Sequence, residues 1–270
     1  VRLSPQLRAA GIYVLVSAAW IWFSGNLLGY LVHDPHLIVR YQIFKGWFFV
    51  LGTGFLLYWL IGRTVHRLAD ANQRLLDSHE QALRVLVEAM DVRHKETSDH
   101  SERVVRMAVG LAKLAGVEGN DLRDIRFGAL LHDIGKLALP DSILIKPAKL
   151  TEEETVVMRT HPGIGHGLLQ RIDFLRGASA IPFSHHERWD GAGYPQGLKG
   201  DEIPLSARIF SVVDVWDALS FPRVYKPAWP EADVLKYLQE VAGTQLDPKL
   251  VQLFMDNYPA LKTLALHPDH

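Results

Sequence analysis

The sequence contains no cysteine. That absence excludes disulfides, thiolate zinc sites and a cysteine nucleophile, so any metal must be held by nitrogen and oxygen. Net charge is nearly absent as well, with 29 basic against 30 acidic residues, whereas a general binder of nucleic-acid polymers carries a basic excess. No long stretch alternates apolar and polar residues, so no sheet is expected. Neither an internal repeat nor a low-complexity tract is present. Charge is also missing locally: Ala9 to Val32 is a run of 24 residues without a charged side chain, and Gly46 to Gly62 is another of 17.

Those two runs are the first positive feature. About 20 apolar residues cross a hydrocarbon core, and Lys45 can lengthen the second run by snorkelling to the interface. The first run exceeds the ~7 to 15 apolar residues of a secretory signal, and a second apolar run follows it closely. Residues 1–62 are therefore expected to form a membrane anchor of two transmembrane helices. Arg2 and Arg8 precede the pair, Arg63 and Arg67 follow it, and Arg40 and Lys45 lie between. The bias favours both ends inside, which puts the rest of the chain in the cytoplasm. The stretch between the spans, Val32 to Lys45, is too short for a sensory domain, and its His33, Asp34 and His36 read as a polar turn.

Residues 63–91 contain neither glycine nor proline, and Leu68, Leu75, Leu76, Leu83, Leu86 and Met90 form an apolar stripe at helical spacing. Two readings stay open: a signalling helix that pairs with a second copy to form a homodimer, or an amphipathic helix packed on the domain that follows, residues 92–270. That domain reads as helix after helix. "NDLRDIRFGALLHDIGK" carries Leu122, Ile125, Ala129 and Leu130 on one face, and "TEEETVVMRT" opens with a capping box of Thr151 and Glu154. The fold class is all-α.

Ligand-type side chains accumulate in this domain. Glu96 and His100 are four apart and share a helix face. His132 and Asp133 are neighbours near a helix end that Gly135 loosens. Asp214 stands in the apolar "ARIFSVVDVWDAL", where burial obliges it to meet a cation or a donor such as Arg208. His161, His185 and His186 sit at helix ends beside Pro162 and a glycine-rich turn. Five imidazoles and three carboxylates exceed what one cation accepts with reactive positions left open, which implies two or three metals. The mixture suits iron or manganese, with zinc, nickel or cobalt as alternatives, better than magnesium.

The pattern of Glu96 and His100, then "HDIGK", "HPGIGHGLL", "HHERWDGAGYPQGLKGDEIPLSARIFSVVDVWDAL" and "GTQLDPKLVQLF", resembles the HD-GYP family, a branch of the HD metal-dependent phosphohydrolases, over about Val92 to Asn257. The resemblance implies an all-helical phosphodiesterase that hydrolyses cyclic di-GMP to linear pGpG or GMP by a metal-bridged hydroxide at a bi- or trinuclear centre. It implies metal ligands at Glu96, His100, His132, Asp133, His161, His185, His186 and Asp214, with Glu96 marking the trinuclear pattern. Asp133 is then the bridging carboxylate, and Lys136 the cation that offsets phosphate charge in the transition state. Tyr194 is expected beside a guanine, with Arg223 and Lys226 on phosphate or guanine. A diguanylate cyclase of the GGDEF type is an implied partner. Two alternatives are a cyclic-dinucleotide sensor without turnover and a phosphohydrolase for another cyclic dinucleotide.

Adjacent histidines are expected to diverge, so that His185 and His186 serve different ions or faces. Glu187 and Asp190 read as loop-ordering acids. After "DVWDAL" the chain has "SFPRVYK" where the family pattern is closer to "TSDRPYR", so Phe221 and Pro222 alter a loop whose basic positions are kept.

Overall fold

The chain is described by a computed structural model covering residues 5–94, 98–222 and 227–266. All the named elements are helical, as composition and periodicity indicate, and no strand occurs among the described residues. Contacts divide the chain into two units, residues 1–78 and 79–270.

The first unit consists of α1 (Pro5–Leu31) and the first part of α2 (Pro35–His94). Both helices are long and apolar enough to cross a membrane. Leu15, Trp22, Phe48 and Phe55 are exposed on them, an apolar surface of an extent that water-soluble domains rarely present. The turn between the helices is short. Only Val32, His33 and Asp34 lie outside helices, because Pro35 occupies the first turn of α2 and the Asp34 carboxylate accepts the His36 amide at 2.8 Å. That is the arrangement of an N-cap. His33, Asp34 and His36 thus serve a tight turn.

Helix α2 continues without a break to His94, as a stretch free of glycine and proline allows. Leu68 and Leu75 are exposed, whereas Val87 and Met90 are buried and Leu83 packs on the core of the second unit. The last turns of α2 therefore belong to that core.

The second unit follows as α3 (Ser98–Leu114), α4 (Gly119–Leu130), a 3₁₀ turn (Ile134–Ala138), α5 (Asp141–Leu144), α6 (Glu152–Met158), α7 (His161–Leu169) and α8 (Ala180–Ser184). It closes with α9 (Leu205–Ser220), α10 (Glu231–Glu240), α11 (Pro248–Asp256) and α12 (Tyr258–Leu266). Helix α3 is central and packs on α4, α9 and α12. Met107 and Leu111 of α3, Phe210 and Trp216 of α9 and Phe254 of α11 are fully buried there, each contributing about 1.5–3 kcal/mol of burial free energy. Gly110 of α3 admits Leu261 and Leu264 of α12. The capping box read at Thr151 and Glu154 is formed at the start of α6.

Gly135 does something other than loosen a helix. A Cβ at this position would overlap the carbonyl oxygen of His161 and the amide of Gly165. The absence of a side chain brings the 3₁₀ turn against α7, and so brings His132 and Asp133 within reach of His161.

Candidate metal centre

Five short pieces of backbone aim side chains into one buried space. The first turn of α3 supplies His100, the turn after α4 supplies His132 and Asp133, and the first residue of α7 supplies His161. The turn closing α8 supplies His185 and His186, and α9 supplies Asp214. His100, His132, Asp133, His161 and His185 are all buried. Two sets of donors converge, His100 with His132 and Asp214, and His161 with His185 and His186; within each set the ligand atoms lie within 4.8 Å of one another.

Asp133 stands between the sets. Its Oδ2 is 3.2 Å from His132 Nε2 and 2.5 Å from the Lys136 ammonium, while its Oδ1 is 3.4 Å from His161 Nε2 and 3.9 Å from His185 Nε2. The rings of His132 and His185, one from each set, meet edge to face at 5.6 Å.

Backbone carbonyls fix which nitrogen of each ring faces inward. His132 Nδ1 lies 2.9 Å from Ala129 O, His161 Nδ1 2.8 Å from Met158 O, and His185 Nδ1 3.0 Å from Pro182 O. Carbonyls only accept, so each Nδ1 carries the proton, and in a neutral ring Nε2 then presents a lone pair. Burial lowers the pKa of His161. Burial and the neighbouring His186 push His185 well down, and burial with the charge of His161 brings His186 to about 3. Neutral His161 and His185 thus hold their Nε2 atoms 3.4 Å apart, lone pair against lone pair. That arrangement is repulsive by itself and is relieved by a cation between or beside the two nitrogens.

The other set shows the same demand for positive charge in another form. Burial opposes a charge on His132, but the carboxylates of Asp133 and Asp214 outweigh it and raise its pKa to about 9. Burial likewise works against the charge on Asp133, yet Lys136 and His132 hold its carboxyl well below the usual range. A field strong enough to draw a proton onto a buried imidazole attracts a metal cation for the same reason. The donor set of imidazole nitrogen and carboxylate oxygen fits divalent transition metals.

Some sequence expectations are altered by the geometry. His185 and His186 do not diverge: their ring centroids are 4.0 Å apart and both belong to the set with His161. They continue a helical turn after α8, where successive side chains are separated by about 100° rather than the 180° of a strand. Arg208 does not neutralise Asp214, since its Nη1 pairs with Asp201 at 2.7 Å and Asp247 at 2.8 Å. Tyr194 stacks on His186 at 4.7 Å, with the Arg159 guanidinium 4.9 Å from its ring centroid, so the tyrosine is packed against a candidate ligand.

The glycine-rich lip is ordered by the acids expected to do so. Glu187, buried, accepts the amides of Gln196 at 2.7 Å and Leu198 at 3.1 Å. Asp190 pairs with Arg188 and accepts the Ala192 amide at 3.0 Å. Gly191 adopts φ 84°, and a Cβ on Gly193 would strike the backbone of Glu187 and Arg188. His166, which is not among the expected ligands, stacks on Phe183.

The sequence reading missed Asp217. This buried carboxylate lies 2.5 Å from His100 Nδ1 and 2.8 Å from Arg103 Nε. Burial raises its pKa, but His100 and Arg103 reverse the effect and lower it. A signal was available: Asp217 follows Asp214 by three on a buried helix, and a buried carboxylate needs a partner. Glu96, Arg223 and Lys226 lie outside the described residues.

Comparison with known proteins agrees with this architecture. The HD domain model matches residues 68–250. The chain is 42% identical over 208 residues to the cyclic di-GMP phosphodiesterase response regulator RpfG of Xanthomonas campestris, covering 74% of this chain and 55% of that one. It is 38% identical to 3'3'-cGAMP-specific phosphodiesterase 2 of Vibrio cholerae, covering 68% and 36%. It is also 38% identical to a cyclic di-GMP phosphodiesterase of Thermotoga maritima, covering 65% and 48%. The chain thus spans about half the length of these relatives or less. The crystal structure of the cyclic GMP-AMP specific phosphodiesterase V-cGAP3 of V. cholerae shares the fold, with a TM-score of 0.55 at 18% identity, over 70% of this chain and 51% of that one.

Proposed function

The chain belongs to the HD-domain family, and from that premise we propose that it is a metal-dependent phosphodiesterase of the HD-GYP branch that hydrolyses cyclic di-GMP to linear pGpG or GMP. The observation that carries the proposal is the pair of converging donor sets around Asp133, with neutral imidazole nitrogens facing each other at 3.4 Å. His100, His132 and Asp214 would hold one cation and His161, His185 and His186 another, with Asp133 between them. Glu96 would add a third site. Iron or manganese is the first choice on the chemistry of these donors. Cations so held supply a water acidified to near neutral pH and a Lewis acid for the phosphoryl oxygens.

The chain's own groups do the rest. The Lys136 side chain, 19% exposed beside Asp133, would set its ammonium against a phosphate oxygen as negative charge builds. His186 and Tyr194 stack on each other, and Glu187 keeps the lip in shape by holding two of its amides. Arg223 and Lys226 are proposed to bind phosphate or a guanine edge. The anchor would place the reaction at the cytoplasmic face of a bacterial inner membrane, with α2 as the connection to it. A GGDEF-type cyclase as partner and pairing of two copies along α2 belong to the same proposal.

Relatives named for cyclic di-GMP and for 3'3'-cGAMP match at comparable identity, so the substrate test is comparative. Manganese-loaded full-length protein in detergent is assayed on cyclic di-GMP, 3'3'-cGAMP and cyclic di-AMP with product chromatography. The expected result is a kcat/KM for cyclic di-GMP at least about tenfold above the others, equivalent to about 1.4 kcal/mol of transition-state discrimination. Preference for 3'3'-cGAMP would reassign the substrate, and binding without cleavage of any would favour a sensor.

A further inference from the structure

We infer that Asp217 is a positioning residue for the metal centre: it orients His100 through Nδ1 and is itself held by Arg103, whose guanidinium lies on the ring of Phe221. The inference rests on the metal reading proposed above. His132, His161 and His185 spend their Nδ1 protons on carbonyls three or four residues back in their own turns. His100 instead reaches across 117 residues of sequence to a carboxylate at 2.5 Å. A local carbonyl merely fixes a tautomer, whereas a carboxylate also makes the opposite ring nitrogen a stronger donor.

The support behind Asp217 is built in the same way. Arg103 donates from Nε to Oδ1 at 2.8 Å and from Nη2 to Oδ2 at 3.4 Å, so both oxygens are engaged. Its Cζ lies 3.7 Å from the centroid of Phe221, and that ring meets Trp216 edge to face at 5.7 Å. Two helices carry the whole relay. Helix α3 presents His100 and, three residues on, Arg103; α9 presents the donor Asp214 and, three residues on, Asp217. Residues three apart share a helix face. One packed interface between α3 and α9 therefore delivers two candidate ligands and the pair that orients one of them.

The test measures manganese binding by equilibrium dialysis and elemental analysis on the full-length protein, well below its melting temperature. Asp217→Asn, which keeps the shape and loses the charge, is expected to weaken one manganese site about 10- to 100-fold. Asp217→Glu keeps the charge opposite Arg103, and with it the fold, but displaces the carboxylate from His100. It is expected to weaken the same site and to shift the visible absorption of the cobalt-loaded protein. A purely structural Asp217 would lower the melting temperature and leave both readouts unchanged. Wild-type manganese affinity in folded Asp217→Asn would overturn the inference; if that variant does not fold, wild-type affinity and spectrum in Asp217→Glu would overturn it. Failure of the unaltered protein to bind manganese at all would instead remove the metal reading itself.

Discussion

Asp133→Asn is expected to lower turnover by about two to four powers of ten and to reduce bound metal per chain. The carboxylate reaches both donor sets, through Oδ2 to His132 and Lys136 and through Oδ1 to His161 and His185. Losing a preorganised group that stabilises the transition state costs about 2.7–4 kcal/mol, each 1.36 kcal/mol is a factor of ten, and weaker metal binding adds to the loss. The amide keeps the volume, so packing around the 3₁₀ turn should survive. Steady-state kinetics with elemental analysis checks both parts. Turnover within threefold of wild type would mean that the two donor sets act independently of Asp133.

Lys136→Ala is expected to reduce kcat by about two to three powers of ten with a much smaller change in KM, the signature of a charge needed chiefly in the transition state. Metal content should not fall. Removing the ammonium 2.5 Å from Asp133 Oδ2 makes the site more negative, and a more negative site holds cations at least as well. A variant that lost metal along with turnover would show that Lys136 maintains the centre instead of serving the substrate.

Much of this was legible in the sequence for a physical reason: helices, caps and candidate ligand side chains show in local spacing. The capping box at Thr151, the glycine-free stretch that became the end of α2 and the His and Asp donors could each be read within a short window. What escaped depended on contacts between distant segments. Asp217 meets His100 across 117 residues, and nothing near either residue states the pairing. Gly135 looked like a flexible break, yet its role is set by the backbone of α7, which passes where a Cβ would be. Asp214 left two readings open, and the choice turned on Arg208 being occupied by Asp201 and Asp247. The polar turn read at His33, Asp34 and His36 is closed at Pro35, which opens α2.

Turnover as a function of bound metal tests the central claim most directly. Full-length protein stripped with a chelator is reloaded anaerobically with manganese or ferrous iron in steps, and hydrolysis of cyclic di-GMP is measured against equivalents bound. The expected result is negligible turnover without metal, and activity that rises to a plateau at two or three equivalents per chain. Full activity in the stripped protein, or no hydrolysis of any cyclic dinucleotide with two equivalents bound, would contradict the assignment of this histidine and aspartate cluster as a hydrolytic metal centre.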